Sequence, residues 1–460
     1  MTPKNLNSIY FLGIGGIGMS ALARYYRAQG VKVYGYDKTS TELTRQLEQE
    51  GIEIHYEEKV ELLEQLFESA TDNWLVCYTP AIPKDNQEFL FFQERGINLY
   101  KRSEVLGLIT QNYFTIAVAG THGKTTTSSM VAHILNECGV NCLAFLGGIS
   151  VNFNSNLLLN DQADTIVVEA DEYDRSFLTL SPDIALVTSL DADHLDIYGD
   201  SDHMQKAYRD FVGKIKPGGT LITKAQYADT LNNRQDIYYK TYSLTDQADT
   251  HAMHLQVAGG AYVADVQSNN SSVKDVEIGL PGIHNVENAM GAFAIAKALG
   301  LDENAIKAAL KSYRGVKRRF EYHIKTPDLV YIDDYAHHPS ELNMCIRSVR
   351  ELYPNKKIIG VFQPHLYSRT RDFAIGFAES LSLLDELILL DIYPARELPI
   401  PGVNSEMIAA MVTIPEKVVL GKGELIGCLR DKHLEVLLTV GAGDIDTLIQ
   451  PIKNLLSEHA

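Results

Sequence analysis

The chain has 460 residues, 45% hydrophobic and 22% charged, which excludes a disordered chain and predicts roughly three domains. Its formal net charge of −18 argues against nucleic acid or an anionic membrane as a partner, because both attract basic proteins. The five scattered cysteines form no C-x-x-C pair, which favours free thiols in a reducing compartment. With no signal-peptide pattern and no long apolar run, we expect a cytoplasmic protein.

The first predicted elements form a βαβ unit. A strand at Ile9 to Leu12, a glycine turn and a helix from Met19 to Gln29 precede a second strand that ends at Asp37. The turn is a G-x-G-x-x-G sequence containing Gly13, Gly15, Gly16 and Gly18. Such a turn lets a pyrophosphate approach a helix N-terminus, and an acid at the end of the next strand accepts from ribose hydroxyls. The pattern predicts a dinucleotide or nucleotide-sugar site; the alternative is a tight turn without a ligand.

A second βα unit begins near residue 113, with the strand "FTIAVAG", a loop and a helix from about Thr125. In the loop, Lys124 can neutralise the β- and γ-phosphates of a nucleotide, and Thr125 can bind Mg²⁺. The general pattern of a nucleotide loop has glycine where this chain has Val118, so we expect a shorter loop. The alternative is a glycine turn with a surface lysine.

Four acids lie in the segment "EADEYD". Glu169 ends an apolar strand, where acids that hold Mg²⁺ next to a phosphate loop are found, and we predict that role for it. Asp171, Glu172 and Asp174 follow. For Glu172 and Asp174 we expect a solvated acidic loop.

His194 follows another predicted strand and is flanked by Asp191, Asp193 and Asp196. Aspartates can orient an imidazole for metal binding, so His194 is a candidate ligand for a second metal. The alternative is a structural histidine.

Beyond residue 240 the pattern changes twice. The stretch from about 240 to 280 is polar and alternating, which is typical of a short antiparallel patch. A helix then ends at Gly300, and strands alternate again with helices after "GVKRRFEYH". We therefore predict three α/β units with joints near residues 112 and 315.

Taken together, the motifs resemble those of the Mur ligase family of the peptidoglycan pathway. The resemblance covers essentially the whole chain and rests on eight segments in one order: "LGIGGIGMSALA", "AGTHGKTTT", "EADEYDRSFL", "DADHLDIYG", "GIHNVENAMGAFAIA", "KRRFEYH", "DDYAHHPSE" and "FQPHLYSRTRDF". The family's ATP loop has the form G-T-x-G-K-T-T, which begins here at Gly120. Val118 then belongs to the preceding strand.

The resemblance implies a fold of three α/β domains. These are a Rossmann-like UDP-sugar-binding domain at 1–112, a central P-loop ATP-binding domain at 113–315 and a Rossmann-like amino-acid-binding domain at 316–460. It also implies a reaction, in which ATP and Mg²⁺ support ligation of L-alanine to the carboxylate of UDP-N-acetylmuramate through an acyl phosphate.

The resemblance further implies a role for each matched residue. Lys124, Glu169 and His194 are the catalytic candidates, and Thr125, Glu169 and His194 the metal ligands. The UDP-sugar would contact Gly13, Gly15, Gly16, Gly18 and Asp37. ATP would contact Gly120, Thr121, His122, Gly123, Lys124, Thr125, Thr126, His284, Asn288 and Arg319. The amino acid would contact Tyr335, His337, His365 and Arg369, with the Arg369 guanidinium pairing with its carboxylate.

Three features depart from the family pattern or go beyond it. Relatives often have arginine where this chain has Leu366. Several sister enzymes hold a second metal with a carbamylated lysine, but Arg209 stands near that position, with Lys206 close by, so we predict no such group. The turn Gly441 to Asp444 has no predicted role.

Three rival functions are open to the sequence. A sister enzyme of wall recycling attaches a preformed tripeptide to the same sugar, although "PHLYSRTRD" fits the alanine-adding enzyme better. An NAD-dependent oxidoreductase would leave the second glycine loop unexplained. A non-catalytic nucleotide-binding regulator is disfavoured because Lys124, Thr125 and Glu169 are all present.

Overall fold

The first sheet forms behind the N-terminal glycine loop. The computed structural model describes residues 6–68, 73–191, 201–245, 247–269, 271–395 and 397–457. The first five strands are β1 (Ser8–Leu12), β2 (Lys32–Tyr36), β3 (Glu53–His55), β4 (Trp74–Tyr78) and β5 (Leu99–Lys101). They pair in parallel in the order β3-β2-β1-β4-β5. Strand β1 is buried on both faces, as its continuous apolar sequence predicts.

The second sheet has ten strands in the order β15-β14-β13-β12-β11-β10-β6-β9-β7-β8. Pairing is parallel from β6 to its neighbours β9 and β10, and antiparallel between β7 and β8. The strands are β6 (Phe114–Ala119), β7 (Cys142–Ser150), β8 (Ser155–Leu158), β9 (Thr165–Glu169), β10 (Ile184–Val187), β11 (Thr220–Lys224), β12 (Tyr238–Ser243), β13 (Thr250–Ala258), β14 (Ala261–Ser268) and β15 (Ser271–Ile278).

The polar stretch predicted to be antiparallel lies at one edge of this second sheet. Strands β13 and β14 are neighbours joined by Gly259 and Gly260 alone. A connection of two residues suits only an antiparallel hairpin. The prediction is therefore confirmed for this pair.

The third sheet has six strands in the order β16-β17-β21-β18-β19-β20. Edge strand β16 pairs antiparallel with β17, and the remaining pairs are parallel. The strands are β16 (Glu321–Lys325), β17 (Val330–Asp334), β18 (Ile358–Phe362), β19 (Glu386–Leu390), β20 (Lys417–Leu420) and β21 (Val436–Val440).

Helices connect and cover these strands. In chain order they are α1 (Ile17–Ala28), α2 (Glu42–Gln49), α3 (Val60–Glu68), α4 (Gln87–Glu94), α5 (Arg102–Thr110), α6 (Lys124–Glu137), α7 (Ser201–Val212), α8 (Ala228–Leu231), α9 (Ile283–Ala298), α10 (Glu303–Ser312), α11 (Pro339–Leu352), α12 (Tyr367–Leu381), α13 (Ser405–Met411), α14 (Leu425–Arg430) and α15 (Ile449–Ser457). Helix α9 ends two residues before Gly300, whose φ of 77° is left-handed, as predicted for a cap.

Residue contacts divide the chain into two compact units. The first unit comprises 1–254, 264–276 and 287–313; the second comprises 255–263, 277–286 and 314–460. The predicted class of three α/β domains is confirmed, with one parallel-rich sheet for each. The domain limits at residues 112 and 315 stay predictions.

The cysteines and the apolar helices are the subject of two predictions from the sequence. All five cysteines lie among the described residues, and each is a free thiol, as predicted. No helix within the described ranges is both long and apolar enough to cross a membrane.

Candidate active site

The N-terminal glycine loop is shaped by close contacts that exclude side chains. A Cβ added to Gly13 would lie 2.4 Å from Thr79 Cγ2, and one added to Gly18 would lie 2.8 Å from Arg102 Nη1. Gly16 is the N-cap of α1, whose first turn contains no acid. The positive end of this helix is therefore suited to an anion.

Asp37 holds the same loop in place. Its Oδ2 accepts a hydrogen bond from Gly15 N at 2.8 Å, and its Oδ1 accepts one from Thr39 N at 3.0 Å. The carboxylate thus stabilises the turn directly. A contact with a ribose hydroxyl would use the lone pairs that remain and stays a prediction.

The second glycine loop lies between β6 and α6. Gly120 and Gly123 have φ values of 132° and 82°, a region that favours glycine. A Cβ on Gly120 would meet Thr188 Oγ1 at 2.1 Å. Helix α6 begins at Lys124, has no acid in its first turn and buries Thr125 and Thr126. This is the strand, loop and helix arrangement predicted for a phosphate loop.

Polar side chains surround this loop. Thr121 Oγ1 and Ser189 Oγ are 2.8 Å apart, and Ser189 Oγ donates to Asp191 at 2.8 Å. His122 Nε2 lies 4.0 Å from the same aspartate. A Cβ on Gly123 would lie 2.7 Å from Asn288 Oδ1. Asn288 therefore contacts the loop itself, and its predicted contact with adenine remains a prediction.

Lys124 is bound within the loop. Its Nζ donates to Gly120 O at 2.7 Å and lies 2.7 Å from Glu172 Oε2. Glu172 is completely buried, so the expectation of a solvated acid is wrong at this position. Burial raises the pKa of Glu172, and the Lys124 ammonium opposes that increase.

Cations account for three of the four clustered acids. Arg102 lies 3.4 Å from Asp171, and Lys101 lies 2.8 Å from Asp174. Asp174 is partly exposed. Including the Lys124–Glu172 pair, each of these carboxylates has a basic neighbour, which offsets the repulsion within the segment.

Glu169 differs from the other acids. Its Oε2 is buried and accepts no hydrogen bond from the described residues. The carboxylate lies over Gly147, where an added Cβ would approach it to 2.1 Å. A buried anionic oxygen at the end of β9 fits a hard cation such as Mg²⁺, whose preferred ligands are oxygens.

The predicted second metal ligand cannot be placed. His194 lies outside the described residues. Within the described ranges, no group of three or more histidine, cysteine, aspartate or glutamate side chains has a metal-binding arrangement. The role of His194 stays a prediction.

A cavity of about 250 Å³ separates the first glycine loop from the acids. Gly16 and Gly18 line one side, and Glu169 and Asp171 line another, with Arg102 also in the wall. Sequence reasoning missed Arg102. The available signal was a basic residue at the start of a helix that follows a strand.

In the second unit, the four predicted amino-acid-binding residues form two pairs. The rings of Tyr335 and His337 are 5.5 Å apart. Arg369 Nη1 lies 3.3 Å from His365 Nδ1, and the His365 ring stacks on Tyr393 at 5.8 Å. Burial lowers the pKa of His365 to about 4, and the Arg369 guanidinium adds to this effect.

Electrostatic contacts place the two pairs near each other. Burial lowers the pKa of His337, and the charge of Arg369 also lowers it. Both histidines are therefore neutral near pH 7, which leaves Arg369 as the cation of this group. The charge of Arg319 also lowers the pKa of His337, so the two side chains lie near each other.

The remaining predicted residues have defined places. His284 lies in the first turn of α9. Arg318, the neighbour of Arg319, donates to Asp333 at 3.1 Å and to Gly441 O at 2.5 Å. The Gly441–Asp444 turn thus holds the start of the second unit's main segment, a structural role that the sequence did not reveal.

Models of one family match all three parts of the chain. The Mur ligase family catalytic domain matches residues 8–114, the Mur ligase middle domain 118–296 and the Mur ligase glutamate ligase domain 318–445.

The chain belongs to the Mur ligase family.

Among Mur ligases, the similarity extends over full lengths. The UDP-N-acetylmuramate–L-alanine ligase of Parabacteroides distasonis is 49% identical over 459 residues, which cover 100% of this chain and 99% of that protein. The crystal structure of UDP-N-acetylmuramate–alanine ligase from Thermotoga maritima has a TM-score of 0.82 at 28% identity, covering 98% and 100% of the two chains. A murein peptide ligase from Psychrobacter arcticus shares the fold, with a TM-score of 0.68 at 23% identity and 98% coverage of both chains.

Proposed function

We propose that this Mur ligase joins L-alanine to the carboxylate of UDP-N-acetylmuramate in peptidoglycan synthesis, with conversion of ATP to ADP and phosphate. One observation carries the proposal: a cavity separates the first glycine loop from Glu169, at the end of the strand next to the ATP loop. A sugar diphosphate on the first loop would direct its carboxylate towards the acids. The full-length likeness to alanine ligases supports this choice of substrates.

The reaction consists of two substitutions. A carboxylate oxygen of the sugar attacks the γ-phosphorus of ATP, and the bond to the β–γ bridging oxygen breaks, which gives ADP and an acyl phosphate. The amine nitrogen of L-alanine then attacks the acyl carbon and loses a proton, and phosphate leaves as the amide forms. Both steps depend mainly on positioning and on neutralising negative charge, so no protein nucleophile is needed.

Lys124 and Arg102 provide positive charge on this path. The Lys124 ammonium, bound at the ATP loop, would stabilise the transferred phosphoryl group. The Arg102 guanidinium, in the cavity wall, would contact the diphosphate or the carboxylate of the sugar. Thr125 and Glu169 would hold one Mg²⁺ and His194 a second metal, and these ions would supply charge neutralisation for the reacting groups.

The second unit would supply the amine substrate. Arg369 would pair with the carboxylate of L-alanine, while neutral His337 and His365 offer hydrogen bonds beside it. Tyr335 would line the pocket with them. Arg319 would reach the ATP phosphates.

The remaining assignments follow the family motifs. We assign Gly13, Gly15, Gly16, Gly18 and Asp37 to the UDP-sugar, and Gly120, Thr121, His122, Gly123, Thr126, His284 and Asn288 to ATP. An NAD-dependent oxidoreductase would not use the second glycine loop or Glu169, so that rival function leaves both unexplained.

Phosphate release tests the proposal. The purified chain is incubated with ATP, Mg²⁺ and UDP-N-acetylmuramate, and the amine is L-alanine, glycine, L-serine or the tripeptide L-Ala-γ-D-Glu-diaminopimelate. We expect rapid release with L-alanine. Release with the tripeptide alone would assign the chain to wall recycling, and release with no amine at all would refute the ligase assignment.

A further inference from the structure

Glu172 is the buried acid of the segment after β9, and metal binding does not explain it. Its carboxylate lies 2.7 Å from Lys124 Nζ through Oε2 and accepts from the same ammonium at 2.8 Å through Oε1. Lys124 also donates to Gly120 O. These three oxygens surround one side of the ammonium, and a phosphate oxygen would share its three N–H groups with them.

The segment around Glu172 is held from several sides. Asp174 and Arg175 have left-handed φ values of 51° and 56°. Asp171 pairs with Arg102 at 3.4 Å, and Arg175 N donates to Glu172 O at 2.9 Å. A fixed backbone limits how far Glu172 can move. The flexible partner of the pair is therefore Lys124, with its long side chain.

We propose that Glu172 is a positioning residue, which directs the Lys124 ammonium at the transferred phosphoryl group and remains paired with it when ATP binds. This inference rests on the proposed function of the ATP loop. A buried carboxylate near the γ-phosphate repels bound ATP, so it lowers the affinity for the ground state. The same carboxylate fixes the direction of the ammonium, which benefits the transition state.

The test is Glu172→Gln, a change that keeps the size of the side chain and one acceptor oxygen but removes the charge. ATP binding is measured by calorimetry with Mg²⁺, without sugar or amino acid, and kcat is measured by phosphate release. We expect ATP to bind about three- to tenfold more tightly, up to about 1.4 kcal/mol. We expect kcat to fall about tenfold, because the gained energy stabilises only the ground state.

Opposite changes in affinity and kcat separate positioning from structure. A merely structural role predicts weaker ATP binding together with a lower kcat. Unchanged or weaker ATP binding in Glu172→Gln, or an unchanged kcat, would overturn the inference. If the wild-type chain binds no ATP, the proposed function itself fails.

Two further variants complete the design. Asp174→Asn removes the neighbouring acid of the same segment, and asparagine tolerates the left-handed backbone there, so we expect wild-type affinity and kcat. Glu172→Asp keeps the charge but shortens the side chain, and we expect kcat to fall several-fold with ATP affinity near that of the wild type. If circular dichroism shows that Glu172→Gln does not fold, Glu172→Asp becomes the test. Full activity in Glu172→Asp would then refute the proposal that Glu172 positions Lys124.

Discussion

Single residues shape both glycine loops. Gly13 and Gly120 exclude side chains because Thr79 and Thr188 lie too close for a Cβ. Lys124 is the cation of the second glycine loop and is already paired with a buried acid. Removing it therefore has two separate consequences, one for phosphoryl transfer and one for stability.

Lys124→Ala should abolish phosphate release, with a loss of at least about 100-fold, because the transferred phosphoryl group loses its cation. Binding of UDP-N-acetylmuramate, measured by calorimetry, should stay close to that of the wild type, since the first glycine loop belongs to another sheet. An equal loss of sugar binding would contradict the separation of the two loops.

The lysine variant also leaves Glu172 buried without its ammonium partner, which costs about 3–5 kcal/mol. The double variant Lys124→Ala/Glu172→Gln also removes the negative charge of Glu172 and is the matched control for folding. We expect it to melt closer to the wild type than the single variant does. It should remain inactive.

At the scale of elements, two junctions show how local geometry supports the site. Strand β8 inserts Asn156 against helix α1, where Nδ2 donates to Ile17 O at 2.5 Å and to Ser20 Oγ at 2.9 Å. Arg24 Nη1 donates to Asn156 Oδ1 at 2.6 Å.

Helix α12 begins after Leu366, whose φ of 68° and ψ of 136° are unusual for a residue with a side chain.

Asn156→Ala should destabilise the first unit by about 2–3 kcal/mol, because it removes the three hydrogen bonds that the buried amide makes to Ile17, Ser20 and Arg24. Thermal unfolding followed by circular dichroism measures this as a lower midpoint. The control is Asn233→Ala, at an exposed position after α8 in the same unit, with an expected change within about 0.5 kcal/mol. Equal effects would show that the β8–α1 contact carries no special weight.

Leu366→Gly should give a more stable protein than Leu366→Ala. Both variants lose the leucine side chain, but only glycine relieves the positive φ, a strain of about 1–3 kcal/mol. At ordinary positions the order is reversed, because glycine loses more backbone entropy on folding. Chemical denaturation of both variants gives the comparison, and a less stable glycine variant would contradict backbone strain at the start of α12.

At the scale of the whole molecule, the net charge is negative, at −18. Cations such as Lys124 and Arg102 lie where we expect phosphates to bind. In the second unit, His323 on β16 is a titratable residue whose side chain is only 9% exposed. Its Nε2 has no hydrogen-bond partner among the described residues, and Glu321 Oε2 lies 3.9 Å away. Burial lowers the pKa of His323 to about 4, and the cations Lys453, Arg318 and Lys317 act in the same direction.

This depressed pKa predicts acid sensitivity of the second unit. As the pH falls below about 6.5, the unfolded chain binds a proton at His323 before the folded chain does, so stability is lost until the pH reaches about 4. His323→Phe keeps a ring beside Tyr331 and removes the titration. Between pH 7 and 4.5, the free energy of unfolding of this variant should fall by about 1–2 kcal/mol less than that of the wild type.

Denaturant titrations at several pH values measure this difference. The exposed His433 supplies the control, and His433→Phe should retain the acid response of the wild type. An identical pH dependence in His323→Phe and wild type would show that burial of this imidazole is not linked to folding.

The sequence by itself determined the class of fold, the two glycine loops and the acid at the end of β9. These features are local: a glycine turn between a strand and a helix is recognisable because its residues are consecutive in the chain. The order of eight motifs also led to the family that the comparisons established. Leu366 departs from the family pattern in the sequence, whereas its positive φ is a property of the fold.

Only the tertiary structure decided which charges meet. It buried Glu172 against Lys124, placed Arg102 in the cavity wall and turned Asp37 towards the glycine loop. These pairs join residues 22 to 69 positions apart, in separate elements. An acid looks the same in sequence whether it is solvated or paired, because the difference lies in the dielectric and the cations that packing brings to it.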